Sequence, residues 1–189
     1  MPTLELHPKA DELLSLWQEA RNGAALPPRS FIDPLRLRRW VGDISVVQVH
    51  EGPKRFFVSL HGANVVRHLG PDFNRQYLED AIPTKAQDDA LKPYCLSMEL
   101  KKPTYSIQRA TLENGLFKSL ERMILPCCDA TLDQTERFLV WVAPIKSDMM
   151  DSTSVYNPFE ESEIDRPWQD APRTEAELFV LSEQYRASV

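Results

Sequence analysis

The stretch Arg55–Asp80, RFFVSLHGANVVRHLGPDFNRQYLED, decides how this chain reads. Phe56, Val58 and Leu60 alternate with Phe57, Ser59 and His61, the period of a strand with one face in a core. The alternation stops at Gly62. Ala63 to Leu69 then reads as a short helix, Gly70-Pro71 breaks it, and Arg75 to Ile82 reads as another. A strand that runs into a cluster of short helices, with more strands downstream, predicts an α+β domain. It carries no catalytic signature.

Upstream of this stretch, Ile44 to His50 has strand character and Gly52-Pro53 turns it back. Earlier still, Leu13, Leu16, Trp17 and Ala20 recur at helical spacing, so a helix is predicted over Asp11 to Gly23. The Pro-pinned connector ALPPRSFIDP follows. Asp33-Pro34 then predicts a capped helix over Leu35 to Val41 carrying Arg36, Arg38 and Arg39.

Downstream, Thr84 to Lys101 reads as a longer helix with Pro93 inside it, where a kink is expected. From Pro103 the pattern is β. Tyr105 to Leu112 and Leu116 to Cys127 are strands joined at Asn114-Gly115, a strong hairpin signal. Arg137 to Ile145, RFLVWVAPI, is the most apolar strand and is predicted to be central. Thr174 to Ala187 is predicted as a terminal helix, with Thr174 capping it and Leu178, Leu181 and Tyr185 forming its stripe.

The expected fold is therefore α+β: a five-stranded antiparallel sheet with helices on one face, plus N-terminal helices and a C-terminal helical tail. The expected organisation is a helical lead-in over 1–43, a core over 44–146, and an acidic irregular arm with a terminal helix over 147–189.

Composition narrows the function classes. The chain has 189 residues with 42% hydrophobic content, enough for one core without disulfides. Its net charge of −6 is concentrated late: residues 147–177 hold nine Asp/Glu against two Arg. The rest is near neutral and has no basic stripe, which argues against nucleic acid. Three cysteines, Cys95, Cys127 and Cys128, give no disulfide framework and suggest reduced thiols in the cytoplasm. No apolar run approaches the roughly 20 residues that span a bilayer, so no membrane partner is expected.

Trp17, Arg21, Gly23, Leu26, Pro27, Arg29, Asp33, Pro34 and Trp40 form a lead-in pattern before the first strand. Leu60-His61-Gly62 ends the second strand, and Gly70-Pro71-Asp72 follows a short helix. Together with the element order, these residues resemble the bacterial single-domain PAS-like family over roughly residues 13–145. The resemblance implies a sensory or regulatory module that binds a small ligand or a protein partner, without catalysis. It departs at Ser59 and Ala63, where the family often has Arg and Thr.

The side chains offer few candidates for chemistry. If a cavity lies between sheet and helices, Phe56, Val58, Leu60, Tyr94, Tyr105 and Trp141 are the expected lining for a small apolar molecule. The same aromatics also read as ordinary core. No cofactor is predicted. His61 and His68 raise the alternative of a haem sensor, haem being a group some members of the fold hold; their plain reading is surface histidines.

No cysteine lies in the helix Arg67 to Leu78, which rules out the flavin-adduct chemistry of light-sensing relatives. Cys127-Cys128 are adjacent strand residues that point apart, and no metal-ligand spacing occurs. G-x-S-x-G, P-loop and G-x-G-x-x-G motifs are absent. A small isomerase or dehydratase on a cone-shaped α+β scaffold is the enzymatic alternative. With no output segment in view, a signalling protein partner or a homodimer is expected, with Leu13 and Trp17 of the first helix as the dimer element.

Overall fold

The computed structural model describes residues 6–50, 54–69, 71–111, 117–129, 134–145 and 173–181. Six antiparallel strands form one sheet: β1 (Ile44–His50), β2 (Arg55–His61), β3 (Thr104–Thr111), β4 (Phe117–Cys127), β5 (Arg137–Pro144) and β6 (Arg173–Val180). Their order is β2-β1-β5-β4-β3-β6. The helices are α1 (Pro8–Arg21), α2 (Ala63–Leu69), α3 (Leu78–Ala81) and α4 (Thr84–Leu100).

β5 lies between β1 and β4, as its apolar sequence predicts. Its residues 137–142 are buried on both faces. Phe138, Val140 and Val142 face α2–α4, while Leu139 and Trp141 face the lead-in. A strand buried on both faces needs cover on both sides: the expected helices lie on one face and the N-terminal lead-in on the other. α2–α4 cover the inner face. The outer face is covered by α1 and the lead-in, through Leu13, Trp17, Leu26, Phe31, Leu37 and Trp40.

The lead-in pattern is the chemistry of that outer cover. Trp17 Nε1 donates to Pro126 O at 2.8 Å, and Trp40 Nε1 donates to Lys9 O at 2.9 Å. Pro27 O accepts from Cys128 N at 3.1 Å. Gly23 takes φ +85°, a left-handed conformation that glycine adopts without strain.

Three local expectations are corrected. Residues 35–41 form successive turns rather than a helix: Leu37 N bonds Asp33 O, then Trp40 N bonds Leu37 O and Asp43 N bonds Trp40 O. Asp33 Oδ1 accepts from Leu35 N at 3.0 Å, a local turn at the start of the segment that competes with a regular helix. In 75–82 only Leu78–Ala81 is helical, because Arg75 sits at φ 61° and residues 75–77 pair along the free edge of β2. The predicted terminal helix over 174–187 is instead strand β6 as far as Val180, paired to β3 with Tyr105 opposite Phe179 and Thr104 opposite Val180. The open edge of β3 offers a full ladder of backbone partners, and that outweighs a weak local helical stripe. The Asn114-Gly115 turn, Gly70 and most of the acidic arm lie outside the described residues.

Candidate functional site

The decisive local feature is a bulge in β2. Val47 pairs with Val58, but Val46 pairs with Leu60, so Ser59 is an extra residue. Its Oγ donates to Val46 O at 3.1 Å. One inserted residue inverts every side chain beyond it. Leu60 therefore turns to the outer side, at the sheet edge, where it is 43% exposed. His61 turns inward and faces Ser45.

Gly62 fixes the exit from the strand. A Cβ there would sit 2.4 Å from Gly42 O and 2.6 Å from Ile44 O, both backbone. Gly62 N donates to Ile44 O, and Asn64 N donates to Gly42 O, each at 2.9 Å. The end of the lead-in is thus clamped onto the start of α2. Asp43 extends the clamp, accepting from Lys9 Nζ at 2.8 Å and from Asn64 Nδ2 at 2.7 Å.

Beneath α2–α4 lies a cavity of about 60 Å³. Its walls are mainly aliphatic, including Val47, Val58, Val65, Leu69, Val140 and Val142, with Phe73 and Tyr94 among the aromatics. Four further polar side chains enter it: Ser45, His61, Gln108 and Arg122. His61 Nδ1 lies 2.9 Å from Ser45 Oγ. Its Nε2 is buried and has no hydrogen-bond partner. Burial pushes the imidazole pKa down, with Asp72 opposing weakly, so the neutral ring is favoured. Arg122 reaches toward α4, donating to Ala90 O at 3.4 Å with its guanidinium 5.7 Å from the Tyr94 ring centre.

Of the residues predicted to line a cavity, Val58 and Tyr94 do so. Phe56 is in the same inner core, against Tyr94 and Phe138, but not in the lining. Leu60 is turned away by the bulge. Tyr105 and Trp141 belong to the outer face, because their register places them opposite Met123 and not on the row of Val140. His61 enters the cavity; His68 is not in its lining. Leu13 and Trp17, predicted as the dimer element, are 0% and 2% exposed and pack on the chain's own sheet. Sequence reading missed Ser45, Gln108 and Arg122. All three sit on the inner phase of their strands, and only the strand register reveals that phase.

A haem does not fit this site. A single histidine lines it, and its volume is far below the roughly 300–1,000 Å³ of pockets for drug-sized ligands. Bulky flavin fails the same size test. Among the described residues no three His, Cys, Asp or Glu side chains cluster as metal ligands. Cys127 is buried, and that burial pushes its thiol pKa far up, so it is inert.

A family model described as PAS domain matches residues 6–139, and the chain belongs to that family. The match includes α1 and the outer cover as well as β1 to β4 and the start of β5. Among solved structures, a Rhodobacter sphaeroides LOV protein is similar at 11% identity and TM-score 0.42, covering 76% of this chain and 71% of that one. The PAS domain of a protein from Colwellia psychrerythraea is similar at 16% identity and TM-score 0.40, covering 60% of this chain and 98% of that one. A variant of RsLOV is similar at 10% identity and TM-score 0.42, covering 59% of this chain. This chain spans 64% of that relative's length. No significant match is found among curated proteins. No described helix is long and apolar enough to cross a membrane.

Proposed function

We propose that this chain is a sensory or regulatory module that responds to a small molecule of a few heavy atoms seated in the His61 cavity. Its output passes to a protein partner. The carrying observation is His61 Nε2, buried at the cavity wall without a partner. A buried polar group left unsatisfied costs about 1–3 kcal/mol. A guest that hydrogen-bonds there recovers that energy, while the aliphatic walls supply apolar contact.

The clamp through Lys9, Asp43 and Asn64 gives such a guest a route to the surface. It ties α2, which walls the cavity, to α1 on the opposite face. A shift of α2 is thereby felt by the lead-in. The described thiols carry no disulfide, and a reducing cytoplasmic setting belongs to the same reading.

The Ser45–His61 pair invites comparison with a nucleophile and its base. Among the described residues no carboxylate hydrogen-bonds the imidazole to orient it. Ser45 lies mid-sheet at 4% exposure, with no donors converging on an oxyanion position. Binding is the better-supported reading.

Native mass spectrometry of the purified protein, with a near-ultraviolet and visible scan, tests it. A retained small mass is expected in the wild type, and it is lost in His61→Phe, which fills the cavity and removes the orphaned nitrogen. A mass retained equally by both proteins would place the guest elsewhere.

A further inference from the structure

We infer that the guest of the inner cavity is a small neutral carbonyl compound whose oxygen accepts from His61 Nε2. This rests on the ligand-pocket reading above and names the chemical class.

The tautomer of His61 follows from the hydroxyl beside it. Ser45 is 4% exposed, and its Oγ has His61 Nδ1 as hydrogen-bond partner at 2.9 Å. A hydroxyl has one proton to donate, and a neutral imidazole carries one N–H. With the proton on Nδ1, the Ser45 hydroxyl is buried with no described acceptor, and Nε2 is a second unsatisfied atom. With the hydroxyl donating to Nδ1, only Nε2–H is left over, at the cavity wall. Leaving one buried group unsatisfied costs less than leaving two. Burial also favours the neutral ring. The β2 end of the cavity therefore presents one neutral donor.

The surroundings of that donor are apolar. Phe73 lies against the His61 ring, with centroids 5.5 Å apart. Val58 is the preceding inward residue of β2, Val47 faces it on β1, and Val65 of α2 is a further wall. The charged Arg122 belongs to β4, three places along the sheet from β2, roughly 14 Å at ordinary strand spacing. It is engaged there with Ala90 O, Ser106 Oγ and the face of Tyr94, and the inferred contact makes no use of it.

The other classes of guest fit this end less well. A cation meets an N–H at Nε2 instead of a lone pair. A carboxylate loses its hydration for a single neutral donor, and desolvating an ion outweighs one such bond. Water needs about two to four polar partners, whereas the neighbours of this ring are valines and a phenylalanine. A hydrocarbon leaves Nε2 buried and unsatisfied. A carbonyl oxygen accepts the bond without bringing a donor of its own, and its alkyl substituents lie against the valines. The cavity volume of about 60 Å³ limits those substituents to a few carbons.

Acetone and isobutene are the probes, the second having a methylene in place of the carbonyl oxygen. Each is titrated into the full chain and into His61→Leu while the valine methyl resonances are followed. The ratio of acetone to isobutene affinity is expected to be at least about fivefold higher in the wild type than in His61→Leu, the worth of one neutral hydrogen bond. Comparing ratios cancels the different hydration of the two probes. Nitrogen NMR of the wild-type ring is expected to show Nε2 protonated, with its proton moved by acetone and not by isobutene.

The same affinity ratio in both proteins, or a ring protonated at Nδ1, overturns the carbonyl assignment and leaves the ligand pocket standing. Shifts from neither probe, with isobutene taken to its solubility limit, overturn the pocket itself. Should His61→Leu fail to fold, the response of the wild-type Nε2 proton to the two probes still decides.

Discussion

Ser45 on β1 and His61 on β2 face each other across the sheet, with Oγ 2.9 Å from Nδ1. The pair exists only because Ser59 is an extra residue in β2. Deleting Ser59 restores plain alternation and carries His61 to the outer side with Leu60 in its place. The expected loss of stability is about 1–3 kcal/mol. The His61 ring, followed by NMR, is expected to titrate near the ordinary value of about 6.5. A ring that stays shifted in the deletion variant would show that something other than the bulge aims it inward.

The pH dependence follows from the same ring. Burial lowers the His61 pKa below its unfolded value, so between the two values the unfolded chain binds more protons. This part of the stability is fully present above about pH 6.5 and falls as pH drops through the folded value. Urea midpoints measured across that window are expected to decline toward acid. His61→Gln removes this contribution, and an unchanged slope in that variant would assign the effect to other groups.

Gly62→Ala is expected to cost at least about 2 kcal/mol, as an overpacking change against backbone that cannot swing aside. Gly23→Ala, at positive φ but in open space, is expected to cost about 1 kcal/mol. Chemical denaturation of the two variants compares them directly. The reverse ranking would mean that the crossing of Gly62 over Gly42 and Ile44 is looser than described.

Trp17 serves the chain's own core. Trp17→Ala is expected to destabilise by about 3–5 kcal/mol, and Trp17→Phe by about 1 kcal/mol through the lost bond to Pro126 O. Analytical ultracentrifugation of Trp17→Phe should show the same oligomeric state as the wild type. A dimer that dissociates without loss of unfolding free energy would return Trp17 to an interface.

Ending the chain at residue 172 removes β6 and uncovers the ladder of β3. The melting temperature is expected to fall, with at least about 2 kcal/mol lost from Leu181 and Phe179, which pack on the outer core. An unpaired edge also recruits other chains, so light scattering should rise with concentration. Unchanged melting would argue that β6 contributes no pairing in solution.

Much of the scaffold could be read locally. The spacing of Leu13 and Trp17 gave α1, alternation gave β1 and β2, and the unbroken apolar run of 138–142 put β5 at the centre. Gly62 was legible as a stop, although its close approach to Gly42 was not. These features depend on period and on residues with restricted or unusual freedom, which the chain carries along its length.

The candidate site was harder to see. Period two placed Leu60 inside and His61 outside, and a single inserted residue exchanged them. Tyr105 and Trp141 looked like pocket aromatics, yet both lie on the outer face, since the side a strand residue faces depends on register with its neighbours. The helical stripe at 174–187 gave way to a strand over 173–180 because an open sheet edge was available.

The sequence by itself therefore determined the strongly patterned elements, α1, α4 and β1 to β5, and the family they resemble. Tertiary structure alone decided which face each side chain meets and so which residues share a cavity. The physical reason is that a strong local period fixes element type, whereas sidedness, and the type of a weakly patterned segment such as β6, is set by pairing between strands distant in sequence, where one bulge inverts the result.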